Sequence, residues 1–137
     1  MREETKTIIK YRLERAKESL KDANKLFSGG SLHSTVNRIY YAMFYSVNAL
    51  LLSRNLSSSK HGGVRALFNM EFVNKGYVDR NYGKFYSEIF EKRQVADYKD
   101  LVSFKEEDIE KWLRKAEEFV NIIEGVTLKI IEEREKG

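Results

Sequence analysis

Ser31-Leu32-His33-Ser34-Thr35-Val36-Asn37-Arg38-Ile39-Tyr40-Tyr41-Ala42-Met43-Phe44-Tyr45-Ser46-Val47-Asn48-Ala49-Leu50-Leu51-Leu52 decides the fold. On a 3.6-residue helix its apolar groups point in nearly every direction, and no glycine or proline interrupts them. A helix that is apolar all round must be surrounded by others, so Ser31 to about Leu52 reads as the central helix of an all-α domain. Upstream, Ile9, Leu13, Ala16, Leu20, Ala23 and Phe27 are spaced 4, 3, 4, 3 and 4, the seam of an amphipathic helix over about 5–28. Ser28-Gly29-Gly30 then stops it. Downstream, Val64, Leu67, Phe68 and Phe72 mark a short helix over about 61–75, and Asp79 is an expected N-cap for a helix over 79–97. Ser103 and Glu106 have the spacing of a capping box. Beyond them Ile109, Trp112, Ala116, Phe119, Ile123, Val126 and Ile130 predict a long last helix to about 134. The expectation is one domain over residues 1–137, an up-down four-helix bundle with one additional short helix lying across one end. The last helix is longer than its neighbours, so its end is expected to protrude or to pack on another subunit.

The composition narrows the chemistry. The chain has 137 residues, 25 basic and 21 acidic side chains, a net charge of +4 and two histidines. Residues 1–104 carry 18 basic against 11 acidic groups, while residues 105–137 carry 7 against 10. A basic body of this kind permits an anionic partner without demanding one. The absence of cysteine excludes disulfides, thiolate nucleophiles and Cys-ligated metal centres. Two histidines alone cannot build a multi-histidine metal site, and no cofactor or metal is expected. No apolar run approaches the roughly 18 residues that cross a bilayer, and the first residues are charged rather than leader-like. A cytoplasmic protein with no membrane partner is the expectation.

Polar groups stand where a purely structural central helix does not need them. Ser34, Arg38, Tyr41 and Tyr45 are spaced 4, 3 and 4 and share one face, with Asn37 alongside. An arginine in so apolar a helix needs an anion or a path to water. Either it contacts phosphate while the tyrosines stack on bases, or it pairs with a carboxylate of a neighbouring helix and the tyrosines belong to the core. A second cluster is Arg93-Gln94-Val95-Ala96-Asp97-Tyr98. Arg93 and Asp97 are one turn apart, as in a surface ion pair, yet an aspartate at a helix C-terminus opposes the macrodipole. Counting the bundle staves makes the second and fourth helices antiparallel, which brings this cluster to Ser34, Asn37, Arg38 and Tyr41. Lys60-His61-Gly62-Gly63 at a helix start reads either as an anion site built on backbone N–H groups or, in preference, as an ordinary N-terminal capping region, and His33 has no evident partner.

Ser34-Thr35-Val36-Asn37-Arg38-Ile39-Tyr40-Tyr41-Ala42-Met43-Phe44 resembles the signature of HEPN domains, and the resemblance extends through the Lys60-His61-Gly62 segment to Arg93…Asp97-Tyr98. It implies an all-α bundle, commonly a homodimer, often paired with a minimal nucleotidyltransferase as toxin and antitoxin. Many such domains are metal-independent endoribonucleases with an R-x(4–6)-H motif. Arg93 matches the arginine, but residues 94–100 contain no histidine, and aspartate is a poor substitute for imidazole as a proton donor at neutral pH. Arg93, Asp97 and Tyr98 are therefore catalytic candidates only. Ser34, Asn37, Arg38, Tyr41 and Arg93 are the expected nucleotide or RNA contacts, and Tyr98 is a candidate for modification by the partner transferase. The leading expectation is a binding module for a nucleotide, an RNA or a partner nucleotidyltransferase. The alternatives are an atypical endoribonuclease and a purely structural subunit.

Overall fold

A computed structural model describes residues 1–97 and 102–137. The described residues form helices and connections without a strand: α1 (Glu3–Ser28), α2 (Leu32–Ser53), α3 (His61–Phe68) continued by a π-helical turn (Asn69–Val73), α4 (Arg80–Ala96) and α5 (Glu106–Lys136). α1 ends in a Schellman motif: Ser31 N–H donates to Leu26 O at 2.9 Å and Gly30 N–H to Phe27 O at 3.1 Å. That geometry puts residue 30 at a φ of 78°, where glycine has no steric penalty. The chain reverses there, and α2 returns along α1.

Side-chain partners give the direction of every stave. Lys17 meets Glu124 at 2.7 Å and Lys6 meets Glu135 at 3.2 Å, so α5 runs antiparallel to α1. Tyr82 hydrogen-bonds Glu118 at 2.5 Å, and the Lys92 ammonium lies 5.9 Å from the Trp112 ring, so α4 and α5 are antiparallel too. The result is the expected up-down-up-down bundle, with α2 in contact with α1, α3, α4 and α5. Its core holds Ile39, Tyr40, Met43, Leu50, Phe68, Tyr86, Ile89 and Phe119, each essentially inaccessible to water.

Three local expectations need correction. The Ser103–Glu106 capping box does not form: Lys105 is the N-cap of α5 and makes no side-chain cap bond. Ser31 is the N-cap of α2 but likewise makes no side-chain cap bond, whereas Asp79 accepts from Asn81 N–H at 2.8 Å as expected. The last helix does not project freely: Arg134 donates to the Ser53 carbonyl at 2.6 Å and Ile130 is buried. The short helix does not lie across the end of the bundle. His61 stacks on Phe44, Arg65 pairs with Glu91 at 3.2 Å, and Phe68 packs edge-on to Tyr86, so α3 runs alongside α4 in the opposite sense. Bundle parity survives because the connection over 54–60 carries the chain back up α2 before α3 begins. The approach of α4 to the π turn is close enough that a Cβ on Gly83 would sit 3.0 Å from Val73 Cγ1.

Phe119 joins α5 to this unit, stacking on Tyr86 at 5.8 Å and meeting Phe68 edge-on at 5.9 Å. Phe119→Ala is expected to cost about 3–5 kcal/mol through lost burial and the cavity left behind. A urea titration checks this: the midpoint falls while the slope stays that of the parent protein.

Candidate functional site

The face of α2 that its neighbours leave partly open carries Ser34, Asn37, Arg38, Tyr41, Phe44, Tyr45 and Asn48, all half-buried. Their 3- and 4-residue spacing makes this one stripe. α1 flanks it with Arg15, whose guanidinium lies 5.3 Å from the Tyr45 ring centre. α4 flanks it with Arg93, 5.2 Å from the Tyr40 centre and 5.5 Å from that of Tyr41. Arg38 is 5.0 Å from the same Tyr41 ring. Each cation on an aromatic face is worth about 0.5–2 kcal/mol and leaves the guanidinium edge free to donate.

Among the described residues Arg38 and Arg93 are held by neutral groups. Arg38 turns Nε and Nη2 onto Asn37 Oδ1, at 3.2 and 2.8 Å. Arg93 Nη2 makes a long 3.3 Å bond to the Tyr41 hydroxyl, and its Nε is buried with no partner. Among the described residues neither arginine joins an ion pair, so the surface pairing of Arg93 with Asp97 is not formed. Asp97 caps the end of α4 and instead lines a cleft of about 390 Å³ with Ala96 and with His33, Ser34, Asn37 and Arg38 of α2. The two polar clusters, separated in sequence, thus share one end of the α2–α4 groove. Tyr98 lies outside the described residues.

The structure adds His61, which sequence reading assigned to a cap. Its ring stacks on Phe44 at 4.4 Å and 18°, and its Nδ1 is 2.7 Å from the Tyr40 hydroxyl. Phenol is the stronger acid of the two neutral groups, so Tyr40 donates and the neutral ring keeps its proton on Nε2. Burial pushes the Tyr40 phenol up to about 12 and also holds that of Tyr86 well above its usual value. Burial, and next the charge of Arg93, hold His61 below its usual value. His33 also finds partners: Nε2 lies 2.8 Å from the Val102 carbonyl, which can only accept, and the ring meets Phe104 edge-on at 5.1 Å. The only sequence signal for His61 was the histidine before two glycines; its partner Tyr40 is 21 residues away.

An all-α bundle with this tyrosine- and arginine-lined groove has close relatives. Residues 9–126 match the HEPN domain, and the chain belongs to that family. It is 51% identical over 134 residues, 98% of both chains, to a UPF0332 protein of Thermotoga maritima. It is 37% identical over 131 residues, 96% of this chain and 94% of the relative, to a Methanocaldococcus jannaschii protein named "Putative toxin MJ0605". A second protein of that organism, "Putative toxin MJ0142", is 36% identical over 80% of this chain and 74% of its own. No helix among the described residues is long and apolar enough to cross a membrane.

The His61 environment predicts a pH dependence of folding. Above 6.5, the usual value of the imidazole, neither the folded nor the unfolded chain holds its proton. Below 6.5 the unfolded chain binds a proton that the folded chain resists, so stability is lost as the pH falls towards the lower folded value. Urea midpoints measured from pH 7.5 down to 5 are expected to fall, and to fall less steeply in His61→Gln.

Proposed function

We propose that this HEPN chain binds RNA or a nucleotide through the Arg38–Tyr41–Arg93 groove, as the toxin-like member of a pair with a partner nucleotidyltransferase. It acts as a homodimer and does not cleave RNA by itself. One observation weighs most: two guanidinium groups converge on the Tyr41 ring beside an open cleft, and one has a buried Nε with no acceptor. A buried donor without a partner costs about 1–3 kcal/mol, and a phosphate oxygen supplies both the acceptor and the missing charge. The neighbouring tyrosines give a base a ring or a guanidinium plane to stack on. The two archaeal relatives whose names carry the word toxin support a toxin-like role.

The endoribonuclease reading gains one point from the structure, an imidazole beside Arg93. That imidazole already spends Nδ1 on Tyr40 and offers Nε2 as a donor, which suits phosphate binding better than proton abstraction. A purely structural role leaves the uncompensated pair of arginines without a reason.

Arg38→Ala and Arg93→Ala are each expected to weaken binding of a short single-stranded oligoribonucleotide about tenfold or more. Each is also expected to lower the slope of log affinity against log salt by about 0.7. Fluorescence anisotropy over a salt series measures both, with exposed Arg80→Ala as the control that changes neither. Equal binding by all three variants would return the groove to a structural role. Light scattering is expected to give a particle of twice 16.1 kDa; a monomer at high micromolar concentration rejects the homodimer.

A further inference from the structure

We propose that His61 is a phosphate ligand of this groove, sharing one phosphodiester with Arg93 and taking up a proton from solvent as single-stranded RNA binds. The inference rests on the RNA-binding reading above and adds a residue and a proton to it. His61 is fixed as a ligand must be. Its ring lies flat on Phe44, stands edge-on to Tyr41 at 5.9 Å and 86°, and is tied through Nδ1 to Tyr40 at 2.7 Å. That arrangement leaves Nε2–H as the free donor. Tyr40 and Tyr41 are also the two rings on which Arg93 rests, so imidazole and guanidinium flank the same aromatic pair.

The surrounding charges decide when the proton is taken up. α2 turns Tyr40 and Tyr41 towards His61, α4 turns Arg93, and Lys60 and Arg65 belong to its own segment. Of the α4 acids, Glu91 is held by Arg65 at 3.2 Å, and Asp97 lies at the end of the helix, lining the cleft beside Arg38. Among the described residues no carboxylate pairs with His61, and burial together with the charge of Arg93 keeps the ring neutral in the free protein. A bound phosphate reverses that balance, and linkage requires the proton to bind more tightly when the phosphate is present. Protonation turns the Tyr40 bond round: Nδ1–H donates to the phenol oxygen. The phenol hydrogen then turns towards the buried hydroxyl of Tyr86, whose ring centre is 6.1 Å away.

The test uses the full chain and a 2′-O-methyl oligouridylate, which cannot be cleaved through its 2′ oxygen. Proton NMR follows the two histidine rings, assigned with His33→Gln and His61→Gln. The His61 midpoint is expected to rise by about one pH unit or more when the oligonucleotide saturates the protein, a tenfold change in proton affinity. The affinity of the parent protein is expected to increase about tenfold more than that of His61→Gln between pH 7.5 and 5.5. A His61 midpoint that the oligonucleotide leaves unmoved overturns the proposal, as does a full pH dependence in His61→Gln. Binding that needs Arg38 and Arg93 but leaves that midpoint unmoved removes His61 and keeps the RNA reading. No binding by the parent protein at any pH removes both. If His61→Gln does not fold, the midpoint in the parent protein, assigned with His33→Gln, decides alone.

Discussion

A phenol in a closed apolar core must find a hydrogen-bond partner, and Tyr40 is completely buried at the centre of this bundle. Its partner is His61, 2.7 Å away on the first turn of α3. That bond fixes where the chain goes after α2. The segment over 54–60 has to climb back along α2 to deliver the imidazole, and α3 then descends beside α4 with Phe68 against Tyr86. The Tyr40 ring also meets Tyr41, Phe44, Tyr86 and Phe90 with centres 5.3–6.1 Å apart. Each such pair adds about 0.5–1.5 kcal/mol beyond burial. One side chain therefore ties α2, α3 and α4 together and defines the floor of the groove.

The charge distribution follows from how the staves are paired. The acidic C-terminal helix directs Glu124 and Glu135 to Lys17 and Lys6 of α1. Partly exposed pairs of this kind contribute little energy, but they set the antiparallel register of α1 and α5. They also commit carboxylates to the seam opposite the groove. Arg15, Arg38 and Arg93 are left against tyrosines on the α2 face, and among the described residues only Arg15 of the three pairs with an acid, Glu18 at 2.8 Å. Part of the basic excess of the first 104 residues thus lies where aromatic rings are available.

The staves were legible because their apolar spacing is regular, and the convergence of Arg38 with Asp97 followed from counting them. The Gly29–Gly30 stop and the Asp79 cap were legible as local chemistry. The path of α3 was not. Its eight residues have too short a period to show which face is buried, and nothing in Ser57-Ser58-Ser59 marks a segment that doubles back. His61 was missed for the same reason, since its meaning comes from Tyr40, a contact between residues far apart in the chain. The N-cap and length of the helix over 79–97 did not show which faces are buried; packing against both α3 and α5 buries two sides of it, with Tyr86 and Phe90 beside Phe85 and Ile89. The capping box failed because spacing identifies only residues able to cap, and α5 begins two residues later than the box requires, at Glu106.

The direction of the Tyr40–His61 bond bears on what the groove can do. For the imidazole to act as a base through Nε2, its proton must sit on Nδ1 and be donated to the phenol oxygen. The phenol would then have to turn its own hydrogen towards Tyr86 in the absence of any ligand. The phenol is the better donor, and burial keeps it protonated, up to about 12. The resting arrangement therefore places an acceptor-free N–H beside Arg93. Arg38 and Arg93, gathered around Tyr41 with only neutral acceptors in hydrogen-bond reach among the described residues, are complementary to an oxyanion that arrives from outside. The geometry that makes the groove a good phosphate cradle thus makes it a poor site for removing a proton from a hydroxyl.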